Sequence, residues 1–321
     1  MRIAVTGATG FIGGAAAREA ARRGHEVIAL HRDRAPAPLP GLRWEALDGW
    51  IDGAEPVDAV VHAAALRHRH GVADADYGRV NLELTGRVLR RAARTGAFLT
   101  HVSSIAVYGW PPPARLPIDE SFPFAPLGPY GRSKVATEEL VSTSGVPFTI
   151  VQPSITYGPG DTSGMIDRMM RLVARRTFVV PGLGKTRVQL VHIDDLARIV
   201  VGATESRAAA GHRFICTYRD PIRVGDLVRL IARAVGVRLP TVGPPVAVLR
   251  VAARAFEALD VLGAFRGAQP PLTREKLATI SVDRAYRIET MRRLLGTEPH
   301  IGYVEGLEDT ARSLGLAPAP Q

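Results

Sequence analysis

Cysteine is almost missing from this chain. Cys216 is the one example in 321 residues, so no intrachain disulfide can form and a disulfide scaffold is excluded. The expected compartment is therefore a reduced cytoplasm. Lysine is nearly as scarce, at Lys134, Lys185 and Lys276 alone, which leaves 38 of the 41 basic residues as arginine. Aromatic residues make up 6%, and no basic block is longer than Arg22-Arg23 or Arg175-Arg176. A base-stacking, lysine- and arginine-rich surface is therefore not indicated despite a net charge of +10, and no nucleic-acid partner is expected. Part of that charge is read instead as serving an anionic ligand such as a dinucleotide phosphate.

Long apolar runs are also lacking. The longest apolar helical stretch, residues 246–265, carries Arg250, Arg254, Glu257 and Asp260 at spacings of four, three and three. That excludes a transmembrane span and predicts an amphipathic helix packing its apolar side on a substrate lobe. A peripheral membrane contact is the other reading of this helix. The chain runs from Met1 directly into an apolar strand, so no signal peptide is expected. There are no internal repeats.

What the chain does have is 46% hydrophobic residues against 22% charged, the balance of a globular fold. Short apolar runs at 2–6, 26–30, 42–47, 57–63, 97–102 and 148–151 alternate with helical stretches. Their near-continuous apolar character fits strands buried on both faces, and the helices between them supply crossovers. The predicted fold is α/β, a doubly wound parallel sheet of Rossmann type. Proline and glycine gather at 35–41, 110–117, 121–131, 157–164 and 269–271, which are expected as loops or rims of a cleft.

The first strand leads straight into Thr6-Gly7-Ala8-Thr9-Gly10-Phe11-Ile12-Gly13 and a helix with Gly24 just past its end. Glycines at 7, 10 and 13 permit a tight turn, close approach of the backbone to a pyrophosphate, and close helix packing, while the helix start offers free N–H groups. Gly7, Gly10, Phe11, Ile12 and Gly13 are therefore assigned to a dinucleotide. At the tip of the second strand, where an acid usually holds a free ribose hydroxyl, stand His31 and Arg32. Arg32 suits a 2′-phosphate, so NADP is expected ahead of NAD, with Asp33 the residue that would favour NAD. Farther on, Tyr130 and Lys134 lie four apart on one helix face. A phenol that exchanges a proton near neutrality needs such a nearby ammonium.

Taken together these motifs resemble the extended short-chain dehydrogenase/reductases, the NAD-dependent epimerase/dehydratase family. The resemblance extends over Asp58-Ala-Val-Val-His62-Ala-Ala-Ala65, Asn81, Ser103-Ser104-Ile-Ala-Val-Tyr108-Gly109, Gln152-Pro-Ser-Ile-Thr-Tyr157-Gly and Val191-His-Ile-Asp-Asp195, so it covers almost the whole chain. It implies a catalytic set of Ser104, Tyr130 and Lys134, with Lys134 also a ribose ligand. Ser104 is chosen over Ser103 because it stands four residues before Tyr108. It further implies that Asp48 contacts adenine, that Ala63, Ala64 and Ala65 line the cofactor cleft, and that Pro153 and Ile155 back the nicotinamide. His62, Asn81, His192 and Asp194 are expected to support structure. The Arg67-His-Arg-His70 run is read as a solvated loop, and no metal site is expected.

Two departures from the family pattern matter. Ile105-Ala106 stand where dehydratases carry an acid pair, which argues against dehydration, and Gln152 replaces the usual arginine. The expected organisation is a Rossmann core of 1–155 plus 188–217 and a smaller α+β substrate lobe of 156–187 plus 218–321. The resemblance of the lobe to dihydroflavonol reductases and 3β-hydroxysteroid dehydrogenases predicts an oxidoreductase acting on an apolar ketone or secondary alcohol. The alternative is a sugar-nucleotide epimerase with tightly bound NAD, in which Arg187 holds a diphosphate. A non-catalytic, cofactor-binding regulatory protein is a third reading. Family members pair through the Tyr130 helix, so a homodimer is implied.

Overall fold

In the computed structural model, residues 1–66, 72–161, 164–180, 184–238, 243–265, 270 and 272–318 are described. The first half alternates as predicted: β1 (Arg2–Thr6), α1 (Phe11–Arg22), β2 (Glu26–His31), β3 (Leu42–Ala46), α2 (Leu47–Asp52), β4 (Ala59–His62), α3 (Asp74–Thr95), β5 (Phe98–Val102), α4 (Pro129–Ser142) and β6 (Phe148–Pro153). There follow β7 (Ile155–Tyr157), α5 (Met165–Ala174), β8 (Arg187–Val188), β9 (Leu190–His192), α6 (Ile193–Glu205), β10 (Arg213–Cys216) and β11 (Ile222–Arg223). The chain closes with α7 (Val224–Ala234), α8 (Val246–Val261), α9 (Arg274–Ser281), α10 (Glu289–Leu295) and α11 (Tyr303–Ser313).

Seven strands form one parallel sheet in the order β10-β6-β5-β4-β1-β2-β3. The order reverses at β1, and ligands of such sheets lie at the carboxyl ends of the strands on either side of that reversal. Strand alternation assigns the two faces. Ile3 and Val5 join a cluster with Ala16, Ala17 and Ala20 of α1 and with Leu196 and Val200 of α6. Ala4 points the other way, with Ile28, Leu30, Val60, Leu99 and Ile150, toward Val88 of α3 and Val141 of α4. The alanines of α1 let its backbone lie close to the sheet, and Gly24 (φ +82°) follows the helix end.

Two strands differ from the sequence-based expectation. β3 is a half-exposed edge, not a strand buried on both faces. The seventh strand, β10, is four residues long and follows the regular strand–helix alternation of the first half. It buries Cys216, whose thiol is pushed well above its usual range by burial.

The second core belongs to the lobe, where Ile166, Met169 and Met170 of α5 meet Leu227 and Ile231 of α7 and Leu307 of α11. The C-terminal part of the chain is shared between the two cores. Ile288, Met291 and Leu294 return to the α1/α6 face of the sheet.

α8 corrects the expectation made for it. Ala253 is its one buried residue, while Val248, Val251, Leu259, Val261 and Leu262 face solvent, Val251 at 67% and Leu262 at 80% exposure. Leu249 and Phe256 are half-buried beside Ala253, while Arg250 and Arg254 are exposed and, with half-buried Glu257, border a cavity. No helix among the described residues is long and apolar enough to cross a membrane.

Candidate active site

The glycine turn and the end of β4 meet directly. Gly7 has φ +70°, and a Cβ on it would lie 2.8 Å from the Ala64 nitrogen. A Cβ on Gly13 would lie 2.3 Å from the Gly7 carbonyl oxygen. Both positions are thus closed to any side chain, one by conformation and contact, the other by contact alone. Gly10 is the N-cap of α1 and supplies no side-chain cap, and the first turn carries no acid, so the helix start is left open to an anion. These features fit a dinucleotide phosphate. Phe11 and Ile12 do a different job, packing beside Ile193 and Ala197 of α6.

Polar bonds fix the same corner. Thr6 Oγ1 accepts from the Ala64 N–H at 3.2 Å and bonds His62 Nδ1 at 2.8 Å, and His62 Nε2 bonds Thr85 Oγ1 at 3.1 Å. Burial, with the Lys134 charge nearby, lowers the His62 pKa to about 3, so the ring is a neutral brace. Asn81 accepts from the Leu66 N–H (2.7 Å) and donates to Ser133 Oγ (2.9 Å), which donates to the Tyr130 carbonyl (2.8 Å). It therefore bolts the loop after β4 to the start of α4. Ala63, Ala64 and Ala65 are half-buried along that loop.

Arg32 and Asp48 are both exposed. Arg32 lies 3.4 Å from Asp33, and Asp48 opens α2 with Arg87 at 2.7 Å. Both carboxylates already have a guanidinium. Arg34, which sequence reasoning passed over, is exposed in the same loop as Arg32.

At the other end of the cleft, Ser104 sits just past β5 and accepts from the Ala106 N–H at 3.1 Å, capping a short 3-10 turn over Ile105–Tyr108. Tyr130 is the second residue of α4. A Cβ on Gly131 would lie 2.8 Å from the Ala106 carbonyl oxygen, so the glycine after Tyr130 lets α4 approach the serine turn. Ser104 and Tyr130 line the same cavity, about 930 Å³, together with Ser154 and Ile155. Trp110 and Leu127 come from the two loops expected as rims. Ser103, the neighbouring hydroxyl, is buried and donates to Glu138. Pro153 is buried beside Cys216.

Lys134 lies beneath, buried, with Nζ donating to the Val102 carbonyl at 2.8 Å and 6.0 Å from the Tyr130 ring centre. Burial lowers its pKa to about 8, a shift that Glu138 opposes. Glu138 was missed in the sequence, although it follows Lys134 by four residues and so shares its helix face. Gln152 Nε2 donates to both its oxygens (2.9 and 3.1 Å), and Gln152 Oε1 accepts from the Tyr108 hydroxyl (2.7 Å). Arg213 of β10 approaches within 3.4 Å. The cation lost by the glutamine at 152 is thus replaced from another strand. Burial still raises the Glu138 pKa.

His192, Asp194 and Asp309 bring ligand atoms within 4.8 Å of one another at the start of α6. There His192 Nδ1 accepts from the Asp194 N–H as a helix cap. The 67–70 run lies outside the described residues.

A family model described as the NAD dependent epimerase/dehydratase family matches residues 3–216, from β1 to the end of β10. The chain belongs to that family. It is an enzyme of the oxidoreductase and epimerase kind, and it aligns end to end with relatives of both activities. A 2-alkyl-3-oxoalkanoate reductase of Stenotrophomonas maltophilia is 28% identical over 96% of this chain and 97% of its own length. A UDP-glucose 4-epimerase of Vibrio cholerae is 25% identical over 97% and 94%. The crystal structure of gox2253 superposes with a TM-score of 0.77 at 26% identity, covering 99% of each chain.

Proposed function

We propose that this family member is an NAD(P)-dependent reductase that interconverts a ketone and a secondary alcohol. The observation that carries the reading is the shared cavity. Ser104 and Tyr130 open into one space whose walls include Trp110, Leu127, Ile155, Leu277 and Val282, an apolar setting suited to a carbonyl on a hydrocarbon frame. The full-length similarity to a reductase of 2-alkyl-3-oxoalkanoates supports the same choice.

The residues divide the work. The glycine turn, the open start of α1 and Ala63 to Ala65 hold the dinucleotide. Arg32 takes a 2′-phosphate, which makes NADPH the preferred form. A nicotinamide bound there supplies the hydride in reduction or accepts it in the reverse direction. The Ser104 hydroxyl donates to the carbonyl oxygen and keeps it in line. Tyr130 gives its phenolic proton to that oxygen as the alcohol forms, so hydride and proton together complete the two-electron reduction. Buried Lys134, as an ammonium, lowers the cost of the phenolate left behind.

The test joins cofactor content to net redox. Nucleotide released from heat-denatured protein is identified, and NADPH and NADH are titrated into what is empty. NADPH oxidation is then followed with neutral and acidic ketones. Consumption of NADPH, lost on Tyr130→Phe, is the expected result. Stoichiometric retained NAD, with a sugar nucleotide changing configuration and no net cofactor use, would replace this reading with the epimerase. Undiminished turnover by Tyr130→Phe would remove the catalytic assignment.

A further inference from the structure

The cavity lined by Ser104 and Tyr130 also carries four arginines. Arg250 and Arg254 of α8, Arg274 of α9, and Arg284 all line it. Among the described lining residues Glu257 is the one carboxylate, and it is already engaged. It accepts from Arg274 Nε at 2.6 Å and from the Arg274 backbone N–H at 2.8 Å. Arg250 and Arg254 have no ion-pair or hydrogen-bond partner among the described residues. Arg284 lines this cavity and a second one of about 880 Å³, and desolvation lowers its pKa.

The orientation of α8 makes this more than a basic composition. A helix on a substrate lobe ordinarily buries its apolar side. Here Val248, Val251, Leu259 and Leu262 are left in solvent, and Arg250 and Arg254, themselves exposed, border the cavity that Ser104 and Tyr130 line. Arg250 and Arg254, one turn apart, repel each other without an anion between them. The rest of the wall combines Trp110, Leu127, Ile155, Leu277 and Val282 with Ser154, Ser281 and Tyr286.

We infer that the substrate of this reductase is an anionic ketone, an oxo acid with a hydrocarbon chain. Its carboxylate is read by Arg250 and Arg254, with Arg284 completing the positive wall. The inference rests on the reductase reading. The guanidinium fork suits carboxylate and phosphate alike. Trp110, Leu127, Leu277 and Val282 favour a fatty oxo acid, because a hydrocarbon chain gains from covering that apolar stretch and a sugar hydroxyl does not.

The probe is 3-hydroxydecanoate with its methyl ester, run in the oxidation direction with NADP⁺ because 3-oxo acids lose carbon dioxide in solution. Turnover is measured beside calorimetric binding to the enzyme–NADP⁺ complex. The acid is expected to exceed the ester by about 100-fold in kcat/KM, a ratio set by charge-assisted hydrogen bonds. In the exposed double variant Arg250→Gln/Arg254→Gln that ratio falls to near one, through loss of the acid alone. Equal handling of acid and ester overturns the anion assignment and leaves the reductase standing. Absence of binding by either compound also overturns it. Tight binding and epimerisation of UDP-glucose, dependent on the same arginines, overturns both readings.

Discussion

Lys134 is the group whose removal separates chemistry from stability most sharply. Its pKa falls from 10.5 to about 8 because the ammonium is buried. The sign follows from proton counts. Between pH 8 and 10.5 the unfolded chain holds a proton at this lysine that the folded chain has lost, so stability rises with pH across that window. Below it, the buried charge costs about 3 kcal/mol, from 2.5 pKa units at about 1.4 kcal/mol each. Lys134→Met removes that penalty. It also removes the 2.8 Å bond to the Val102 carbonyl, a loss of about 1 kcal/mol, and a favourable charge near Glu138. The cofactor-free variant should therefore be about 1–2 kcal/mol more stable than the parent at pH 7, a rise of roughly 2–6 °C in Tm. Its turnover should fall by about 10²–10⁴-fold. Chemical denaturation of both proteins at pH 7 and pH 10 tests the origin of the gain. The parent regains most of its penalty by pH 10, so the advantage should shrink by about 2–3 kcal/mol over that range. A variant less stable at pH 7, with a difference flat between pH 7 and 10, would refute the reasoning.

Four further outcomes follow from the same structure. His62 carries a pKa lowered from 6.5 to about 3, so the stability it contributes is present above pH 6.5 and declines as pH falls toward 3. The parent should lose about 2 kcal/mol from this group between pH 8 and pH 5, and denaturation of His62→Gln should lack that component. Gly13→Ala places a methyl 2.3 Å from the Gly7 carbonyl oxygen, and a titration with NADPH should show binding weakened by at least about 10-fold, beside a loss of roughly 2 kcal/mol or more of stability. Arg32→Ala should reduce kcat/KM for NADPH by about 10- to 100-fold while leaving NADH within about twofold; equal losses for both would displace Arg32 from the 2′-phosphate. If turnover needs Lys134 as an ammonium, the rate of ketone reduction should fall as pH rises through about 8. Glu138→Gln should move that fall to lower pH, because the carboxylate opposes the lysine's downward shift.

The cofactor half was legible because its signals are local. A buried strand, a turn with glycines at 7, 10 and 13, and the helix that starts there are written in the 21 consecutive residues from Arg2 to Arg22. Ser104 was separable from Ser103 by spacing, and the structure puts the first in the cavity and the second against Glu138. Glu138 itself was not found, although its position after Lys134 was visible. Its importance depends on Arg213 and Gln152, which are brought to it from β10 and β6 by sheet pairing. The strand β10 was not singled out because it follows the regular strand–helix alternation of the first half, although its segment was assigned to the core.

α8 shows why the lobe resisted reading. Its sequence has one charged side and one apolar side, and the general rule sends the apolar side inward. That rule holds when the inner surface is hydrocarbon. In this chain Leu249, Ala253 and Phe256 are covered in part, while exposed Arg250 and Arg254 border the open cavity that Ser104 and Tyr130 also line. Amphipathic spacing therefore determines that a helix has two faces, and the neighbouring elements determine which face looks in. Those neighbours are α9 and the 282–286 segment, far along the chain from α8's own pattern.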